Sequence, residues 1–145
     1  MPERALQILH SLQGSQRKPA SRSASAIELA RAVREGFAIE VIDNLRDSGR
    51  LTAGEVHRVI APARTLAHRR KQGGRLNQEQ SERALRVAGV LARAEEIFGR
   101  EKAHRWLRRP TSALDGEAPL DLLDTQPGAD AVMNLLGRID HGIAA

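Results

Sequence analysis

The sequence predicts an all-α protein, and three observations carry that prediction. Its apolar residues recur every three or four positions and nowhere alternate with period two for long. Helix caps and breakers fall between the periodic stretches: Thr52, Asn77, Gly73-Gly74 and Pro110. Aromatic residues are scarce in the 145, with no Tyr, two Phe and one Trp. Sheet proteins draw on aromatic and β-branched side chains to cover their faces, so a sandwich or barrel is disfavoured.

The elements follow in order. Residues 1–13 place Leu6, Leu9 and Leu12 near one helical face, a marginal helix at that length. Residues 14–25 are Ser-rich and lack large apolar residues, so 1–25 reads as a flexible tail. Helical spacing starts at Ser25, with Ile27, Leu29, Ala30 and Val33, and ends near Gly36. Phe37, Val41, Ile42 and Leu45 continue it to a stop at Asp47-Ser48-Gly49. Thr52 with Glu55 three residues on makes a capping box, and Val56, Val59 and Ile60 supply the face behind it. Pro62 interrupts, and a short helix covers 63–72. Asn77, with Glu79 in the first turn, caps a long helix to Phe98-Gly99. Residues 100–108 carry Trp106 and Leu107 before Pro110. Pro119 opens a short helix, 125–128 form a turn, and the last helix spans about 129–140 to Gly142.

The stretch 51–73 has the size and punctuation of two helices joined by a tight turn, a helix-turn-helix. In that motif the second helix enters the major groove of DNA and its first residues touch base edges. Arg64, Thr65, His68 and Arg69 share one face and take that role, while Leu66 packs inward. Arg58, Arg70, Lys71 and Arg75 are placed to meet phosphates, which give affinity and salt sensitivity rather than sequence choice. Ala63 stands where many such helices carry a capping Ser or Asn, an omission costing on the order of 1 kcal/mol. The bland alternative is a helical hairpin with solvated arginines.

Charge supports the nucleic-acid reading. The net charge is +5, and 20 of the 23 basic residues are Arg. No acid lies between Glu55 and Glu79, a window holding six cations. Residues 1–110 carry a net of +10 and residues 111–145 a net of −5, an asymmetry that points to two surfaces with different partners.

Other classes are excluded. Cys is absent, so no disulfide, thiolate zinc site or cysteine nucleophile exists. The five His residues show no ligand spacing, and no phosphate-binding glycine loop occurs. Glu95 and Glu96 are adjacent on a helix and face apart. No enzyme, metal or cofactor is expected. No apolar run approaches the roughly 20 residues of a membrane span, and the start lacks a signal-peptide pattern, so a cytoplasmic protein is expected.

Residues 36–142 resemble the antitoxins of RES–Xre toxin–antitoxin pairs, also called the MbcA or ParS group. The phrases RTLAHRR (64–70) and RLNQEQSERALRVAGVLARAEEIFG (75–99) carry part of the likeness. The C-terminal pattern carries the rest: Trp106, Leu107, Pro110, Leu114, Gly116, Pro119, Leu122, Leu123, Thr125, Gly128, Val132, Leu136, Ile139 and Gly142. Thr111 and Asp115 depart from the Asn and Gly usual in the family. The resemblance implies a helix-turn-helix domain over 26–99 and a toxin-binding domain over 100–145. It implies a RES-domain toxin, which consumes NAD or uses it for ADP-ribosylation, as one partner. Promoter DNA is the other, bound by a homodimer inside a larger assembly that represses its own operon.

On the toxin side the expected contacts are Trp106, Met133, Leu136, Arg138, Ile139, Asp140, His141, Gly142 and Ile143. Trp106 suits the core as well as an interface, and Met133, Leu136 and Ile139 form a stripe open to both roles. Arg138 is the only basic residue after 110, placed to enter the toxin's cleft or to remain a surface Arg. The competing readings are a stand-alone regulator whose C-terminal part dimerises or senses a ligand, and a scaffold without a DNA role.

Overall fold

A computed structural model describes Ile8 and residues 22–142. The expected first helix and Ile143 lie outside the described residues, apart from Ile8, which is helical and 8% exposed within the core. The helices are α1 (Arg22–Glu35), α2 (Glu40–Asp47), α3 (Ala53–Val59), α4 (Ala63–Lys71), α5 (Gln78–Phe98), α6 (Arg100–Arg108) and α7 (Gln126–Asp140). Two 3-10 turns, Ser112–Leu114 and Pro119–Leu122, join α6 to α7. The sole extended pairing among the described residues is an antiparallel bridge between Ala38 and Arg75.

The long α5 organises the molecule. Val87, Val90, Leu91 and a run of buried alanines line it. Small side chains let α1, α6 and α7 approach it closely. In front, α2, α3 and α4 enclose Val41, Ile42, Leu45, Val56, Val59 and Leu66. Behind, Leu107, Leu120, Leu123, Val132, Leu135 and Leu136 complete one continuous core with α5. Burying a Leu or Val side chain contributes about 1.5–3 kcal/mol, which is what binds these short helices into one body.

Local chemistry sets the ends. Thr52 Oγ1 accepts from the Glu55 amide at 3.2 Å, and Glu55 Oε1 accepts from the Thr52 amide at 2.9 Å. The box at Asn77 closes through Gln80, at 2.8 and 2.9 Å, because the residue three positions on reaches back, not Glu79. At α4 the cap position is Pro62, one residue before Ala63, and no side chain caps that helix.

Several boundaries differ from the sequence reading. α1 begins at Arg22, inside the stretch read as tail. α7 begins at Gln126 rather than 129, since Thr125 accepts from the Gly128 amide at 3.1 Å and Pro127 suits the first turn. The 119–122 element is 3-10, too short for α-helical bonding to propagate. Asp115 adopts φ 54°, the left-handed conformation that glycine takes without a Cβ penalty.

Ion pairs tie front to back. Arg50 bonds Glu95 on α5 at 2.9 and 3.3 Å. Arg108 on α6 holds Glu55 on α3 at 2.7 and 2.9 Å and donates to the Arg50 carbonyl at 3.0 Å. Arg100 donates to the Ser48 carbonyl.

Candidate functional site

The second helix of the motif, α4, presents one face to solvent. Leu66 is its buried anchor. Arg64 and His68 are exposed, and Thr65 and Arg69 are half-buried. Arg69 Nε is sequestered without a partner among the described residues. Arg64, His68 and Lys71 make no ion pair or side-chain hydrogen bond among the described residues. Among the described residues, the charges of Arg64 and Lys71 are therefore free to meet a polyanion.

Three of the cations expected at phosphates are engaged within the chain. Arg70 grips Asp43 of α2 through two bonds, at 2.6 and 3.1 Å. That hydrogen bonding to Asp43 raises the Arg70 pKa and makes the residue a clamp of α4 on α2. Arg58 bonds Asp121 of the second 3-10 turn at 2.8 Å, and Arg75 donates to the Gly36 carbonyl at 2.8 Å. Spacing alone did not reveal these partners, which lie 27, 63 and 39 residues away.

The second surface is the far side of α7. The stripe left open by the sequence divides here. Leu136 is fully buried and belongs to the core, so its side chain is not presented to a partner, correcting its expected role. Ile139 is half-buried against the core, and Met133 is 38% exposed. Trp106 is half-buried and tilts against Phe98, ring centres 5.3 Å apart. Arg138 is exposed, without an ion pair among the described residues. Asp140 binds Arg93 at 2.7 Å, and His141 Nδ1 lies 2.6 Å from the Gly137 carbonyl. Gly142, at φ 73°, turns the chain after the helix.

At the junction, burial alone would raise the Glu55 pKa. Hydrogen bonds from Arg108 and from the Thr52 amide, with the Arg108 charge, outweigh it and hold the carboxyl below the usual range. The described residues hold no cluster of three or more His, Cys, Asp and Glu able to ligate a metal, and no helix long and apolar enough to cross a membrane.

A motif helix with free cations, joined through a shared core helix to a second helical unit with an acidic C-terminal section, defines a two-surface binding protein. Residues 28–89 match the antitoxin Xre-like helix-turn-helix domain, and residues 93–142 match the antitoxin Xre/MbcA/ParS C-terminal toxin-binding domain. The two matches meet inside α5. Antitoxin Xre of Yersinia enterocolitica is 34% identical over 128 residues, 86% of this chain and 84% of its own. Antitoxin Xre of Pseudomonas putida is 36% identical over 120 residues, 82% and 75% of the respective chains. A Sphingobium protein named Prs ADP-ribosylating antitoxin is 35% identical over 80 residues, 48% of this chain and 50% of its own. The chain belongs to the Xre antitoxin family. That family consists of antitoxins, not enzymes, and its two domains point to a toxin and to DNA as partners.

Proposed function

We propose that this antitoxin neutralises a RES-domain toxin that degrades NAD or transfers ADP-ribose from it. In this reading the C-terminal end of α7 covers the toxin's active site. The homodimeric chain then represses its own operon in the cytoplasm. The observation that carries the reading is the match of residues 93–142 to the toxin-binding domain. The −5 charge of residues 111–145 supports it, because a cleft that handles an anionic dinucleotide is basic. Arg138, Ile139, Asp140, His141, Gly142 and Ile143 supply the plug, with Trp106 and Met133 on the flanks. Arg138 takes the place of part of NAD or pairs with an acidic catalytic group.

Co-expression with the proposed cognate RES-domain toxin tests this. The wild-type chain restores growth and retains the toxin on a column. Arg138→Glu, or a chain ending at Asp140, keeps the fold, because Ile139 and the Arg93–Asp140 pair remain. Neither variant restores growth. A wild-type chain that retains no toxin favours the stand-alone regulator.

On the DNA side, Arg64, Thr65, His68 and Arg69 read bases and Lys71 meets a phosphate. Arg64→Ala or Arg69→Ala relaxes sequence preference by about 1–3 kcal/mol, while Lys71→Ala weakens all sequences alike and lowers the salt slope by about 1. Arg70→Ala acts through the Asp43 clamp and lowers the melting temperature as well, which Lys71→Ala does not. Electrophoretic mobility shifts at several salt concentrations, beside melting curves, separate these roles; identical profiles for Arg64, Arg70 and Lys71 would contradict them.

A further inference from the structure

An open groove of about 440 Å³ runs between α5 and the first half of α7. Leu85 and Gly89 of α5 line one side, and Met133 stands on the other. Two features of this groove have no purpose inside the folded chain.

The first is Gly89. It sits in the interior of a 21-residue helix, where glycine is the least favoured residue after proline. A Cβ built there meets nothing within 4 Å, so no close internal approach demands glycine. Its missing side chain leaves the groove deep beside an exposed Met, a flexible side chain suited to packing against an incoming group.

The second is charge. Glu82 and Asp130 line the groove, and neither has a cation partner among the described residues. Among the described residues, the Asp130 carboxylate accepts from the Gln126 side-chain amide, at 2.8 Å, and from no other side chain. Arg86, the groove's one cation, turns to Gln126 Oε1 at 3.1 Å and to the Asp124 carbonyl at 3.4 Å rather than to a carboxylate. Two acids against one base repel DNA and disfavour the same patch on a second copy facing it. They suit a basic polypeptide.

We propose that this groove is a second docking site for the toxin. It receives a toxin segment that lays one aliphatic side chain over Gly89 beside Met133 and sets Lys or Arg against Glu82 and Asp130. The proposal rests on the toxin-binding reading above and extends it. Glu82, Arg86 and Gly89 fall within residues 28–89, matched to the helix-turn-helix domain and outside the matched toxin-binding domain. The toxin therefore grips the core helix shared with the DNA-binding unit, not only the C-terminal end of α7.

The test uses the full chain and, as probe, a tagged, catalytically inactivated form of the proposed cognate RES-domain toxin. Gly89→Arg fills the groove and cancels its net negative charge, and the open space above position 89 accommodates the longer side chain. It weakens binding roughly 30-fold, the loss expected of a central interface contact. Asp130→Lys, on the exposed side of α7, weakens it roughly tenfold. The operator mobility shift stays at the wild-type value in both, and the melting temperature of Gly89→Arg does not fall, because the helix loses its interior glycine. If the toxin binds both variants as tightly as the wild type, the groove is not its site, although the antitoxin reading survives. If the variants change the sedimentation of the free chain instead of toxin affinity, the occupant is a second copy and the proposal fails. If the wild type does not bind the probe at all, the reading and the proposal fall together.

Discussion

A Gly36→Ala chain is expected to lose about 3–5 kcal/mol of stability, enough to melt the helix-turn-helix unit near growth temperature. Gly36 sits at φ 89°, and an added Cβ would lie 2.0 Å from the Leu76 carbonyl oxygen and 3.2 Å from its carbon. Those atoms are backbone and cannot rotate away. They belong to a seam in which the Leu76 amide donates to the Phe37 carbonyl at 2.9 Å and the Ile39 amide to the Gly74 carbonyl at 2.8 Å. In the same seam the Phe37 amide donates to Ser81 Oγ at 2.9 Å. Any shift that relieves the contact strains these bonds together. Gly49 is the internal control. It has φ 79° but nothing within 4 Å of a built Cβ, so Gly49→Ala suffers only the left-handed backbone penalty, about 1–2 kcal/mol. Urea melts of the two variants check the difference. Equal midpoints would show that the seam yields, and that backbone angle alone governs both sites.

Most of the fold was legible because its signals are local. The Thr52 box, the stop at Gly73-Gly74, the cap at Asn77 and the first-position Pro119 each depend on residues within one turn. The buried stripe of α5 repeats at helical spacing along 21 residues. The start of α7 was misread because Thr125-Gln126-Pro127-Gly128 has the composition of a turn and the geometry of a capped helix start. Composition cannot distinguish these; the Thr125 hydrogen bond does.

The surfaces were half legible. Spacing placed Arg64, His68 and Arg69 on one helical face and Leu66 behind it, because periodicity reports direction. It could not report that Asp43, Asp121 and the Gly36 carbonyl occupy Arg70, Arg58 and Arg75, since those partners come from tertiary packing. The stripe Met133, Leu136 and Ile139 was undivided for the same reason: only the direction of the neighbouring helices makes Leu136 core and leaves Met133 exposed. One signal was present and unread. Gly89 interrupts a strong helical pattern without ending it, and it is the position on which the proposed groove turns.

The bond between Glu55 and Arg108 holds the most buried carboxylate of the ion pairs that join the two matched domains among the described residues, and its removal is the second large effect. Glu55 is buried, serves the Thr52 cap and takes two bonds from Arg108, itself only 25% exposed at the side chain. Arg108→Ala therefore leaves a buried carboxylate without its cation. The expected cost is about 2–3 kcal/mol, between the limits for exposed and buried pairs, or roughly 5–10 °C in melting temperature. Acid reproduces part of this loss. The carboxyl's pKa is depressed in the folded chain, so the unfolded chain takes up its proton first as pH falls. The pair's stabilisation is complete above the unfolded value, near pH 4–5, and disappears as pH drops through the lower folded value. Glu55→Gln keeps an acceptor for the Thr52 amide but removes that titration. Its melting temperature should start lower at pH 7 and fall less steeply than the wild type's between pH 5 and pH 3. Parallel curves for the two chains would show that other carboxylates govern acid unfolding. A shallower curve, with Arg108→Ala showing the same flattening, assigns the acid lability of the folded chain to the contact that joins α3 of the DNA-binding unit to α6 of the toxin-binding one.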